Sequence, residues 1–208
     1  MVKKTITDTV LEQIYSDLNI RTDKEKSDNI YQILDELSML KSTKKLNVSV
    51  WGKITERLVE TFLKLYAKDT YFNIIKRNDE WVGDFGLFGV PFNTIISVKS
   101  YSSKERALTS GSGSALCPTI LYGHFLKENY KDYDRPERLQ SYKIRGFTSV
   151  YMPNYTYDCL CTEAKEFKNI NQNKFVRKIE NFGPDIKSSI EIRQIGGFER
   201  LIINPLKL

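Results

Sequence analysis

Apolar residues recur at helical spacing from the start of the chain: Ile6, Val10, Ile14 and Leu18, then Ile30, Ile33, Leu34, Leu37 and Leu40. Residues three and four apart share one helix face, so this spacing predicts helices over 6–20 and 27–40, joined by a polar link at 21–26. A basic run at 41–45 reads as a solvated loop, which leaves a helical N-terminal layer at about residues 1–45. The broadest stripe comes next: Trp51, Ile54, Leu58, Val59, Phe62, Leu63, Leu65 and Tyr66 predict an amphipathic helix over 51–68. At ~100° per residue Glu56 falls just past Leu63 on the edge of that stripe, with Glu60 about 40° further out. Glu56 therefore leans over whatever this helix packs against.

The pattern then changes to period two. Strands are predicted over 71–76, 80–87 and 92–100, the last two meeting at a turn near Phe88, Gly89, Val90 and Pro91. Further along, Pro118 opens a predicted helix through 126, a polar aromatic loop covers 129–136, and Pro136 opens another helix. Strands over 147–152 and 157–161 flank a turn at Pro153 and Asn154. A basic helix over 163–181 and a hairpin of 189–194 with 198–203, turning at Gly196 and Gly197, complete the reading. No internal repeat or domain boundary is visible. The expectation is one α/β (α+β) domain over 1–208.

Composition narrows the function more than the fold. At 208 residues and 40% apolar content the chain has ample material for a core. No apolar run reaches membrane-spanning length and the N-terminus has no signal-sequence pattern, so a soluble, cytoplasmic protein without membrane partners is expected. Lys and Arg number 32 against 26 Asp and Glu, a net charge of +6 that suits a polyanionic partner. The three cysteines, Cys117, Cys159 and Cys161, lack Cys-x-x-Cys spacing, which excludes a zinc ribbon; the last two read as thiols on one side of a strand. One histidine, His124, cannot supply the sets that His-dependent metal enzymes need. The segment 109–114 alternates glycine with hydroxyls but is not a Walker A loop, and Asp84-Phe85-Gly86 lacks the other kinase motifs.

The chemistry centres on two short strands. Along the second, Asn93, Ile95, Ser97 and Lys99 share one face and Thr94, Ile96 and Val98 the other, while the first begins at Asp84. An aspartate, a strand lysine and a helix-edge glutamate are what phosphodiester hydrolysis asks for: oxygen ligands for a divalent ion, and a cation that orients water and offsets developing charge. In this order they resemble the PD-(D/E)XK nuclease superfamily, which includes many type II restriction endonucleases and the archaeal junction resolvases. Gly52-Lys53-Ile54-Thr55-Glu56 resembles its Gly-x-x-x-Glu helix, Gly83-Asp84 its first strand, and Ser97-Val98-Lys99 a Ser-x-Lys variant of its (Asp/Glu)-x-Lys strand. No proline precedes Asp84, and Ser97 stands where the family usually has a carboxylate.

The resemblance, carried by residues 51–100, implies a restriction-endonuclease-like core: a central mixed β-sheet flanked by helices in αβββαβ order. It implies a Mg²⁺-dependent (Mn²⁺ substituting), sequence-specific endonuclease for double-stranded DNA, working as a homodimer beside a cognate DNA methyltransferase. Asp84 and Glu56, with Glu60 second and Glu105 a distant third, would bind the ion together with the Val98 carbonyl. Lys99 would position the water, and Ser97 would hydrogen-bond a water of the ion's shell. Contacts to DNA are expected from Lys104, Arg106, Ser110, Ser112 and Ser114, and from Arg135, Arg138, Lys143 and Arg145, because arginine grips guanine bidentately. Two rival expectations share the residues: a structure-selective nuclease for junctions or repair, and a non-catalytic DNA-binding protein whose Ser97 marks lost metal binding.

Overall fold

The computed structural model describes residues 5–44, 47–67, 73–76, 84–88, 94–99, 119–122, 127–169 and 172–194. Four helices come first: α1 (Ile6–Asp17), α2 (Asp23–Asp28), α3 (Ile30–Lys44) and α4 (Val48–Tyr66). Thr5 and Asp8 close a capping box on α1, as Thr22 and Glu25 do on α2, each box worth about 1 kcal/mol. Asn47 caps α4 by accepting from the Ser49 N–H at 2.9 Å. The expected helix over 27–40 divides at Asn29, which ends α2 before α3 begins.

Helix α4 organises the core. Its buried residues Trp51, Ile54, Leu58, Val59, Phe62 and Leu63 join Leu11 and Ile14 of α1 and Ile33 and Leu37 of α3 on one side. On the other they meet Phe85, Ile96 and Val98 of the sheet and Phe182 and Ile186 of the last described helix. Gly183 allows that helix to approach, because a Cβ there would stand 2.2 Å from the Tyr66 ring. Among the described residues no helix is long and apolar enough to cross a membrane.

Among the described residues six strands form one sheet in chain order: β1 (Asn73–Lys76), β2 (Phe85–Phe88), β3 (Thr94–Val98), β4 (Thr119–Tyr122), β5 (Phe147–Met152) and β6 (Val176–Lys178). The first three pair antiparallel and the last four parallel, so β3 is where the direction changes. All six residues of β5 are buried, as a strand covered on both faces requires. Tyr151 points to the α4 side, edge-on to Phe182 at 5.1 Å, while Val150 and Met152 enter a second core with Leu139, Leu160, Ala164 and Phe175.

Several expected elements take other forms. Thr119-Ile120-Leu121-Tyr122, read as helix, is β4: a four-residue apolar run carries no periodicity that separates helix from strand, and pairing between β3 and β5 decides it. The predicted strand over 157–161 is instead α6 (Asn154–Asp158) and a turn, opened by the Pro153 carbonyl, which accepts from Thr156 and Tyr157. Helix α5 (Pro136–Ile144) lies where expected.

The basic stretch over 163–181 is not one helix. It contains α7 (Thr162–Glu166), an antiparallel bridge between Lys168 and Lys174, β6, and a 3-10 turn at Ile179–Asn181. Gln172 turns the chain at φ 64° and Asn169 donates to the Thr148 carbonyl at 3.1 Å, so tertiary contacts override helix propensity. Residues 189–194, read as a hairpin strand, are the end of α8 (Phe182–Gln194), and its expected partner over 198–203 lies outside the described residues.

Candidate functional site

Strand alternation gives β3 two unlike faces. Ile96 and Val98 pack on α4, so Ser97 and Lys99 face the other way. Asp84 immediately precedes β2, in which Phe85 pairs with Ile96, and its N–H donates to the Ile96 carbonyl at 2.9 Å, which ties it to β3. A carboxylate, a hydroxyl and an ammonium therefore share one patch of sheet where β3 ends.

The patch is tight and nearly dry. Asp84 Oδ2 accepts from the Val98 N–H at 2.6 Å and lies 3.5 Å from Lys99 Nζ, with side-chain exposures of 10% for Lys99 and 15% for Asp84. Asp84 Oδ1 has no partner among the described residues. Ser97 is fully buried, and its Oγ has no hydrogen-bond partner among the described residues, which for a buried hydroxyl is a cost of about 1–3 kcal/mol left standing.

These open valences fit a hard cation. A carboxylate oxygen and strand carbonyls are the donors Mg²⁺ prefers, and an orphaned hydroxyl suits a water in the shell that Mg²⁺ retains. Among the described residues no three His, Cys, Asp or Glu side chains cluster. Among the described residues the site thus offers one carboxylate, Asp84, with serine at position 97.

The two candidate glutamates part company on α4. Glu60 has both oxygens engaged, Oε2 with Arg57 and Oε1 with Lys64, each at 2.9 Å. Burial alone would raise its pKa, but the bonds from Lys64 and Arg57 prevail and hold it below the ordinary carboxylate value. It lines a groove of about 510 Å³ with Asp8, Tyr15 and Lys26, between α4 and the first two helices. Glu56 is half-buried, nearer the edge of the apolar stripe, on a helix that packs against the opposite face of β3 from Asp84 and Lys99.

The predicted DNA contacts divide too. Lys104, Arg106, Ser110, Ser112 and Ser114 lie outside the described residues, as do Glu105, Cys117 and His124. Arg138 is held by Asp132 at 2.7 Å and the Lys131 carbonyl at 3.3 Å, and Lys143 donates to the Lys168 carbonyl at 3.1 Å beside the Phe167 ring. These two fasten α5 to its neighbours, whereas Arg135 and Arg145 are exposed at its ends. Of the two described cysteines, Cys161 caps α7, its Sγ accepting from the Ala164 N–H at 3.4 Å, and Cys159 donates to the Tyr155 carbonyl.

Sequence reasoning passed over a charged cluster on the other sheet face. Arg177 Nε lies 2.8 Å from Asp185 Oδ2, off the line of an ideal hydrogen bond, and a second guanidinium nitrogen donates to Oδ1 at 3.0 Å. The fully buried Tyr151 hydroxyl donates to Oδ2 at 2.9 Å. Burial pushes the Asp185 carboxyl above its ordinary value, with Arg177 and Tyr151 pulling it back. Tyr151 itself is pushed well up by burial and by Asp185. Only an aspartate three residues into a helix hinted at this.

No family model matches the chain, and no curated protein matches it. Among solved structures, it is similar to the restriction endonuclease PspGI in complex with substrate DNA, with a TM-score of 0.53 at 16% identity over 88% of this chain and 92% of that one. The chain has a restriction-endonuclease-like α+β fold.

Proposed function

We propose that this protein is a Mg²⁺-dependent, sequence-specific endonuclease for double-stranded DNA, of the type II restriction kind. The observation that carries the proposal is the convergence of Asp84, Ser97 and Lys99 on one face at the end of β3, in a fold shared with a DNA-cutting enzyme. Asp84 Oδ1 and the Val98 carbonyl would hold the ion; Glu56, on the helix packed against the other face of β3, is not assigned to it. Glu60 is set aside because Arg57 and Lys64 already occupy its oxygens. When bound, the ion supplies Lewis-acid polarisation of the phosphoryl group and eases deprotonation of the attacking water. Mn²⁺ would substitute.

The chain's own groups do the positioning. The Val98 N–H and Lys99 fix one oxygen of Asp84 and so aim the other. Lys99, anchored at the strand end, orients the attacking water and offsets the charge that develops on the phosphate. Ser97 satisfies its hydroxyl on a water of the assembled site. Cutting both strands of a palindrome would require a second copy related by a two-fold axis, and a cognate methyltransferase would protect host DNA.

Incubation of the purified chain with plasmid DNA and Mg²⁺ or Mn²⁺, followed by sequencing of the ends, tests the reading. Discrete fragments with a common end sequence are expected, and none with EDTA. Cleavage confined to branched DNA would replace it with the junction-selective alternative. Duplex binding without cleavage under either ion would leave a DNA-binding protein on a nuclease fold.

A further inference from the structure

The register of the parallel strands carries a second cation to the level of the first. Val98, Tyr122, Tyr151 and Arg177 stand in one rung across β3 to β6, so Lys178 is on the rung of Lys99. It shares that lysine's sheet face, because it pairs with Met152, which points away from α4. Three strand spacings separate the two positions, roughly 14 Å.

Lys178 opens onto a concavity of about 190 Å³ lined by Tyr157, Lys174, Val176, Arg177, Lys178 and Asn181. Its other cations are committed, Lys174 to Glu166 at 2.6 Å and Arg177 to Asp185. Lys178 is not: its contact with Asp158 is long, 3.6 Å, to a carboxylate that is 64% exposed. An exposed pair of that kind contributes about 0–1 kcal/mol and yields to a better anion. The ammonium is held 5.3 Å from the Tyr157 ring centroid, and the Tyr157 hydroxyl and Asn181 amide have no hydrogen-bond partner among the described residues. A half-freed cation beside two idle neutral donors in a small hollow suits a tetrahedral anion.

We propose that the hollow of Tyr157, Lys178 and Asn181 seats a backbone phosphate of the DNA strand whose scissile phosphate lies at Lys99. This rests on the nuclease reading above. Phosphates of one strand advance ~3.4 Å along the axis per nucleotide while also turning around it, which sets neighbours roughly 7 Å apart, so a strand running past the C-terminal ends of β3 to β6 places the seated phosphate about two nucleotides from the cut. The contact carries no base information; it sets the register of the strand across the sheet.

The test is fluorescence anisotropy of a labelled linear duplex across a KCl series, with Ca²⁺ replacing Mg²⁺ so that DNA is not consumed. Lys178→Met keeps the stem on Tyr157 and removes the charge. It should weaken binding several-fold and reduce the slope of log K against log salt by about 1. Asn181→Ala should weaken binding less and leave the slope alone. Lys24→Ala, on the exposed face of α2, controls for loss of one charge. If Lys178→Met keeps the wild-type slope, or changes it no more than Lys24→Ala, the seat is overturned while the nuclease reading stands. If the wild type neither binds nor cuts duplex DNA, the nuclease reading itself falls.

Discussion

Two carboxylate–cation pairs occupy opposite faces of the same sheet, and their difference separates structure from function. Asp185 is saturated: Arg177 contacts both oxygens, Tyr151 adds a third bond, and α8 is tied to β5 and β6. Among the described residues Asp84 meets Lys99 at 3.5 Å through one oxygen only, which a main-chain N–H already holds, beside a hydroxyl without a hydrogen-bond partner. Both pairs are largely withdrawn from water. A buried pair whose two carboxylate oxygens are both engaged specifies packing, whereas one with an oxygen unpartnered among the described residues can take a ligand.

Breaking each pair should therefore have opposite consequences. Lys99→Ala or Asp84→Asn should lower the cleavage rate by at least about 10²-fold, the scale for removing one group that stabilises developing charge. Near-native circular dichroism should accompany the loss. A Lys99→Ala protein that cuts plasmid at the wild-type rate would remove the catalytic assignment. Arg177→Met should instead cost about 3–5 kcal/mol in urea unfolding, because it strands a buried carboxylate. The double change Arg177→Met with Asp185→Leu should recover much of that; equal destabilisation of single and double variants would show that the pair is not the cause.

Where the sequence was informative, one periodicity ran long enough to be unambiguous. The α4 stripe from Trp51 to Phe62 and the alternation of Ile96 and Val98 against Ser97 and Lys99 depend only on local geometry, so the site on β3 was legible before its neighbours were. Apart from the thirteen-residue α8, whose end at 189–194 reads as a strand, most failures are short: four residues of β4, five of α6, three of β6. At such lengths pairing partners and caps decide, and Pro153, Asn169 and the β3–β5 gap act through contacts that spacing does not encode. The Arg177–Asp185–Tyr151 cluster was invisible for the same reason, since a strand and a helix supply the charges and another strand the hydroxyl. Misreading β6 as helix likewise hid Lys178 on the Lys99 rung.

Smaller perturbations sharpen the contrast. Tyr151→Phe removes one buried donor from Asp185 and should cost about 1–3 kcal/mol with cleavage intact, read by urea unfolding beside a plasmid assay. A loss of cleavage without loss of stability would mean that the α8 face communicates with Lys99.

The last prediction is one of sign. The folded chain holds the Asp185 proton more tightly than the unfolded chain, whose reference value is 3.8, since burial raises the folded pKa. Between 3.8 and that higher value the native state carries the extra proton, so the contribution of this carboxyl to stability declines as pH rises through the window. Compared with Asp185→Asn, which cannot titrate, the wild type should lose melting temperature as pH rises from 3.8 through the raised folded value. A difference that grows with pH would show that Arg177 outweighs burial and that the pair favours the ionised form. Asp185 would then act as an ordinary stabilising salt bridge, and the contrast with Asp84 would rest on open valence alone.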